Sequence, residues 1–294
     1  MGSVHKPVLL QEVIESLQVK PGALYIDATF GGGGHSLEIL KHGGHILGID
    51  QDPEAIVRFE QNEQFAKAIT QKDIQVVKGN FKDIEKIAQK NGFEKVAGIL
   101  FDLGLSSDQL DVSGRGFTLR YDEPLDMRMD MTSSMTAEEI VNTWSEDELY
   151  ELFIKMGEER NARLIAQKII KVRKDSPITT TGKLVTAIEE VTKVRGKIHP
   201  ATQVFMALRI AVNNELEVLK NGLHQAFDLL EPKGRLVVIS FHSLEDRIVK
   251  ITFKHMEEQG VGKIITKKPL VAAEQETVEN RRARSAKLRV FEKI

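Results

Sequence analysis

Four consecutive glycines, Gly31, Gly32, Gly33 and Gly34, follow the apolar run Ala23–Phe30 and precede His35. Residues without a Cβ let the backbone take positive φ and let a ligand approach the main chain. A tight turn alone is the plainer reading, but four glycines in a row also cost backbone entropy. The spacing departs from the dinucleotide fingerprint. Counted from Gly31 its third glycine falls on Ser36, and counted from Gly32 on Leu37. That disfavours a nicotinamide cofactor with its pyrophosphate and favours a ligand without phosphates.

Three further positions lie where ligands of open α/β sheets bind, beyond the carboxyl ends of strands. Asp50 ends the apolar run His45–Asp50, roughly 20 residues past the glycines, where an acid commonly accepts hydrogen bonds from ribose hydroxyls. The alternative for an acid here is helix capping, and Asp52, immediately before Pro53, suits that task better. Phe81 ends a third run, Ile74–Phe81, where it would lie against an adenine face or serve as a core phenylalanine. Asp102 ends a fourth, Val96–Leu103. There it would orient a methyl donor or an accepting amine, or else satisfy a helix N-terminus. A fifth run, Arg235–Phe241, leads into His242, which reads equally as a buried or a site histidine. Ser243 and Asp246 are spaced as a capping box.

These positions require a particular frame. Strand-like runs alternate with helical patterns at Ser36–Lys41, Pro53–Ala68 and Lys82–Asn91, which implies βαβ units and a parallel sheet. The alternation breaks between about Gln109 and Arg209. Asp111–Met131 reads as a long loop, either an ordered cover of the core or a flap or RNA contact. Beyond it, Thr136–Glu139 and Ser145–Glu148 are capping boxes, and Tyr150–Met156, Asn161–Lys174, Thr181–Thr192 and Pro200–Asn213 carry helical spacing. The sheet pattern then resumes with a helix over Asn214–Leu230, a turn at Pro232–Gly234, the fifth strand, a helix over Ser243–Glu258 and a closing strand pair, Lys263–Lys267 with Ala286–Ile294. The expected organisation is one α/β domain in two pieces, residues 1–108 and 214–294, interrupted by a mainly helical domain over 109–213. Seven strands ending in a hairpin are similar to the class I (Rossmann-like) methyltransferase layout.

Composition narrows the chemistry. The 294 residues include no cysteine, which removes disulfides, Cys-ligated zinc and thiol nucleophiles. The eight histidines are scattered, so no metal site is expected. No run approaches the ~20 apolar residues of a membrane span. No signal-peptide pattern is visible, and a cytoplasmic location is expected. The formal net charge is -2, unlike many nucleic-acid binders. Arg281, Arg282, Arg284, Lys287 and Arg289 nevertheless gather near the C-terminus, as a solvated face or a phosphate-binding one.

Seven blocks, spread in order over nearly the whole chain, carry a resemblance. They are Thr29–Ser36, Ile49–Pro53, Ile99–Ser107, Pro124–Asp130, His199–Thr202, Ile239–Arg247 and Asn280–Ser285. In these the chain resembles the MraW/RsmH family of bacterial 16S ribosomal RNA cytidine N4-methyltransferases. The resemblance implies S-adenosylmethionine as cofactor, with Gly33, Gly34, His35, Asp50, Phe81, Asp102 and Gln109 as its contacts. It also implies 16S rRNA or the small ribosomal subunit as partner, and a cytidine of the decoding region, nucleotide 1402, as target. The chain departs from many amino-methyltransferases, which carry Asp/Asn-Pro-Pro-aromatic after strand four; here that place holds Asp102-Leu-Gly-Leu.

Transfer to an exocyclic amine would be an in-line displacement, in which placement is the main task. Asp102 is the expected catalytic group, holding an N–H so that the lone pair localises. The target base must leave its stack. The helical insert, the loop over 124–130 and the basic C-terminal segment would grip the RNA. A methyltransferase acting on a protein or small molecule is the alternative.

Overall fold

A computed structural model describes residues 7–105, 114–192 and 199–294. By its internal contacts the chain divides into two units. One runs to Gly104 and resumes over Leu216–Ile294; the other is Leu105–Glu215.

The first unit is built on a seven-stranded sheet of order β3-β2-β1-β4-β5-β7-β6. Its strands are β1 (Leu24–Asp27), β2 (His45–Asp50), β3 (Ile74–Lys78), β4 (Val96–Asp102), β5 (Leu230–Ser240), β6 (Gly262–Ile264) and β7 (Lys287–Lys293). The first five pair in parallel, while β7 runs antiparallel between β5 and β6. This is the class I methyltransferase sheet.

The central strands read as unbroken apolar runs because both faces are covered. Successive residues of β4 and β5 point to opposite cores. Ile99, Phe101 and Val238 join a cluster with Leu219, Leu223, Val249 and Phe253. Leu100, Val237 and Ile239 join another with Leu9, Val13, Leu17 and Ile39. The flanking helices are α1 (Leu10–Leu17), α2 (Gly34–Lys41), α3 (Pro53–Gln61), α4 (Ala66–Gln71) and α5 (Ile84–Lys90). The strand order reverses at β1, between β2 and β4, which opens a crevice at their carboxyl ends.

Local chemistry moves several expected boundaries. The helix expected over Pro53–Ala68 breaks at Asn62, whose extended backbone and side-chain bond from Gln64 N–H restart the chain as a 3-10 turn. The third strand stops at Lys78, since Asn80 caps the turn Phe81–Asp83 by accepting from Lys82 N–H. The turn at Pro232–Gly234 falls inside the bounds of β5. There Lys233 takes a φ of 67°, and the pairing jumps from Val96–Leu230 to Gly98–Arg235.

The helices of the second unit among the described residues are α6 (Ala137–Thr143), α7 (Glu146–Lys155), α8 (Ala162–Asp175), α9 (Thr181–Glu189) and α10 (Ala201–Asn213). They enclose one core that includes Ile140, Leu149, Phe153, Ile165, Ile169, Leu184, Val204 and Leu208. Ser145 and Glu148 form the expected reciprocal cap.

The Pro124–Asp130 segment belongs to this core and is not a free flap. Leu125, Met127 and Met129 are buried. The intervening charges turn outward, where Arg128 grips Asp126 through two hydrogen bonds of 2.9 and 2.7 Å. Asn213 accepts from Met129 N–H and donates to the Met127 carbonyl, both at 2.8 Å.

The chain continues through α11 (Glu215–Leu229) into β5, then α12 (Ser243–Glu258), and α13 (Glu274–Glu279) precedes β7. Among the described residues no helix is long and apolar enough to cross a membrane.

Candidate active site

The glycine turn works through two different properties of its residues. Gly31 and Gly33 have φ of 53° and 71°, in the left-handed region. At Gly33 a Cβ would also meet the Phe30 ring at 2.5 Å and the Phe65 ring at 2.7 Å. At Gly34, the first residue of α2, it would meet Pro7 at 2.4 Å. Gly32 differs, because a Cβ there would meet nothing within 4 Å. Two glycines are thus required by packing, while Gly32 leaves open space beside bare backbone.

Asp50 stands next to this turn. One carboxylate oxygen accepts from Gly31 N–H at 2.7 Å and the other from Asp52 N–H at 2.9 Å. Burial raises its pKa, and those two backbone donors oppose the rise. Each oxygen keeps a second lone pair. Asp52 caps α3 by accepting from Glu54 N–H, so the two acids divide the tasks as their sequence contexts suggest.

The end of β4 is fastened to the end of β1. Thr29 Oγ1 accepts from Asp102 N–H at 2.6 Å. The Asp102 side chain is 26% exposed, and its Oδ2 lies 3.6 Å from His35 Nδ1. Its Oδ1 is buried and has no hydrogen-bond partner among the described residues. Burial pushes the carboxyl up to about 7; Arg282 pulls it down and Glu245 adds to the rise. Asp27, also buried, accepts from the Ser36 hydroxyl at 2.7 Å and is pushed up to about 6, mainly by burial.

His35 is 5% exposed and its Nε2 lies 2.9 Å from the Val8 carbonyl. Phe81 is half-buried; its ring meets Phe101 edge-on at 5.3 Å and closes against Gly222. Gly33, Gly34, His35, Asp50 and Asp102 therefore converge on the carboxyl ends of β1, β2 and β4. Phe81 follows β3 and takes part in the core. Gln109 lies outside the described residues.

Three expectations at the fifth strand and the C-terminus need correction. His242, not Ser243, is the N-cap of α12: its ring accepts from Glu245 N–H, and Glu245 accepts from the N–H groups of Phe241 and His242. The helix starts one residue earlier than the hydroxyl-carboxylate spacing implied. Asp246, relieved of capping, holds Arg289 at 2.7 Å and Lys287 at 3.3 Å. The basic cluster therefore divides. Arg289 is buried on Asp246, Arg282 acts electrostatically on Asp102, and Arg281 and Arg284 remain exposed.

Sequence reasoning missed Asp27, Thr29, Val8 and Glu276, which accepts from Leu9 N–H at 2.8 Å. Asp27 and Thr29 carried a signal, as polar residues at a strand end beside the glycines. Val8 acts through its carbonyl, which any residue would supply, and Glu276 lies far away in sequence.

The sheet and the crevice define the class, a Rossmann-like methyltransferase. The chain belongs to the MraW methylase family, whose model matches residues 2–294. It is 44% identical to the ribosomal RNA small subunit methyltransferase H of Lachnospira eligens, over 99% of this chain and 98% of that one. Among solved structures it is similar to an rRNA methylase from Streptococcus thermophilus, with a TM-score of 0.48, 10% identity and coverage of 100% and 99% of the two chains. It is also similar to the N-methyltransferase NodS from Bradyrhizobium japonicum, with a TM-score of 0.43, 8% identity and coverage of 97% and 93%. A methylase of this family and sheet takes its methyl group from S-adenosylmethionine.

Proposed function

We propose that this protein methylates the exocyclic amine, N4, of a cytidine in the decoding region of 16S ribosomal RNA, at nucleotide 1402. The observation that carries the reading is the buried Oδ1 of Asp102, which has no hydrogen-bond partner among the described residues and sits at the end of β4, the strand paired with the one that leads into the glycine turn. A buried acceptor left unmade is costly and is filled when a donor arrives. An amine N–H is such a donor.

The residues fit an adenosyl ligand. Gly33 and Gly34 shape the turn under it, with His35 behind them. Asp50 would take the ribose hydroxyls on its free lone pairs, and the uncovered part of Phe81 would meet the adenine. Gln109 is assigned with them on the resemblance alone. The donor supplies an electrophilic methyl carbon on a sulfonium.

Asp102 does the remaining chemistry. Cytosine N4 is a poor nucleophile because its lone pair is delocalised into the ring. An acceptor on one of its N–H bonds holds the amine in a geometry where that pair can localise, so the site acts chiefly by orientation and electrostatics. The inserted helical domain, residues 109–213, is assigned to RNA recognition, together with Arg281 and Arg284.

The test is mass spectrometry of 16S rRNA nucleosides from cells with and without the protein, with purified small subunits and labelled donor as the in vitro arm. N4-methylcytidine should vanish on deletion and return with the purified protein. Label entering protein or a small molecule instead of RNA overturns the reading.

A further inference from the structure

His35 presents an unusual juxtaposition. A carbonyl oxygen only accepts, so the 2.9 Å contact with Val8 puts a proton on Nε2. In the neutral ring Nδ1 is then a bare lone pair, and it faces Asp102 Oδ2 at 3.6 Å. Two acceptors this close repel through partly desolvated surroundings, and burial opposes charge on both groups. One proton between them removes the conflict, whether carried by the carboxyl or by the imidazole. Among the described residues, Asp27 and Glu276 bring negative charge to the ring when ionised, Glu245 brings it to Asp102, and Arg282 brings an opposing positive field.

We propose that His35 and Asp102 hold a single shared proton in the ligand-free protein, release it when the sulfonium donor binds, and regain one from the amine on turnover. His35 is in this account a positioning residue that acts through Asp102. The inference rests on the methyltransferase reading above.

Protons balance over the cycle. Binding of a cation beside Asp102 favours its anion, and the shared proton leaves to solvent. Oδ1 of the anion then accepts the amine N–H. As the N4 lone pair bonds to the methyl carbon, the carbon–sulfur electron pair goes to sulfur. The methylated nitrogen sheds one proton to Oδ1, which restores the pair to its one-proton state. Burial, which pushes Asp102 up to about 7, keeps that state populated near neutral pH.

Calorimetry in two buffers of different ionisation enthalpy counts the proton directly. S-adenosylmethionine should release about one proton per molecule bound at about pH 6, whereas S-adenosylhomocysteine, the neutral thioether with the same remaining groups, should release none. Between about pH 5.5 and 6.5 the sulfonium should bind about tenfold tighter per pH unit, with a flat profile for the thioether. Binding of both without a difference in proton count overturns the pair. Absence of binding by either overturns the methyltransferase reading itself.

His35→Gln tests the histidine, since its amide can keep the Val8 contact but has no basic nitrogen. The midpoint of the affinity profile should move down by about one pH unit. An unmoved midpoint would assign the proton to Asp102 alone. Should the variant fail to fold, the wild-type ring gives the answer by NMR. Its nitrogen shifts should change with the proton count on donor binding, and unchanged shifts remove His35 from the pair.

Discussion

Thr29 Oγ1 and the backbone N–H of Asp102 meet at 2.6 Å, joining the carboxyl ends of two neighbouring parallel strands. The bond fixes where β4 ends relative to the glycine turn, and hence where the Asp102 carboxylate sits. Its partner atoms come from a side chain two residues past β1 and the main chain at the end of β4, so position 29 requires a short acceptor. Thr29→Val removes the acceptor at constant shape. It should lower kcat by roughly tenfold, from misplacement by a fraction of an ångström, and leave the affinity for S-adenosylhomocysteine within about twofold. Steady-state kinetics beside calorimetry of the product complex checks both.

The two acids of the crevice should respond to pH in one direction. Asp102 and Asp27 have folded-state pKa values raised to about 7 and about 6. Their contribution to stability is therefore fully present below the unfolded carboxylate range, near 4, and is lost as pH rises through those folded values. Asp102→Asn removes one of the two penalties. Because 26% of the side chain is exposed, the gain is discounted to roughly 2 kcal/mol at alkaline pH. Denaturant unfolding across pH should show the variant more stable than the parent above about pH 7, equal to it near pH 4, and without methyl transfer. A variant less stable at every pH would contradict the burial argument.

Adjacent glycines should give opposite phenotypes. Gly33→Ala meets two phenylalanine rings and a φ of 71°, and should cost roughly 1 kcal/mol or more. Gly32→Ala meets nothing and should leave the melting temperature unchanged while weakening donor binding, because the added methyl occupies the space beside the ligand. Thermal melts with and without S-adenosylhomocysteine separate the two.

Asp50→Ala should weaken S-adenosylmethionine by roughly 1.5–3 kcal/mol, the value of hydrogen bonds to a charged group. The same change frees Gly31 N–H and Asp52 N–H. Asp50→Asn, which keeps an acceptor, should therefore be milder. Equal affinity of all three proteins by calorimetry would remove the ribose assignment.

At the C-terminus, Arg281→Ala with Arg284→Ala should reduce the slope of log affinity for RNA against log salt by about 1.4–1.8, with no loss of fold. Arg289→Ala should act oppositely, costing on the order of 3 kcal/mol of stability by leaving Asp246 with Lys287 alone. A filter-binding salt series and a melt for each variant make the distinction.

The sheet was legible because its strands are short apolar runs punctuated by glycine and acid, a pattern that burial on both faces enforces. The convergence of the glycine turn, Asp50 and Asp102 was legible for the same reason, each lying at the carboxyl end of such a run. The cap of α12 was misplaced because a histidine ring can accept as a hydroxyl does. The C-terminal charges divide because Arg281, Arg282 and Arg284 lie in a 3-10 turn, while Lys287 and Arg289 share one face of β7 and both reach Asp246, a difference hidden in a list of charges. Nothing in the sequence marks the Val8 carbonyl as the atom that fixes the His35 tautomer. That choice emerges only from packing.

Glu276 holds the backbone of Leu9, and the next residue back, Val8, holds His35. The order of synthesis therefore matters. A nascent chain exposes its glycine turn early, yet the clasp over that turn closes only after residue 276 has cleared the exit tunnel. Until then the Leu9 N–H lacks its carboxylate partner, and partly made chains should neither retain the methyl donor nor compete for it with finished molecules.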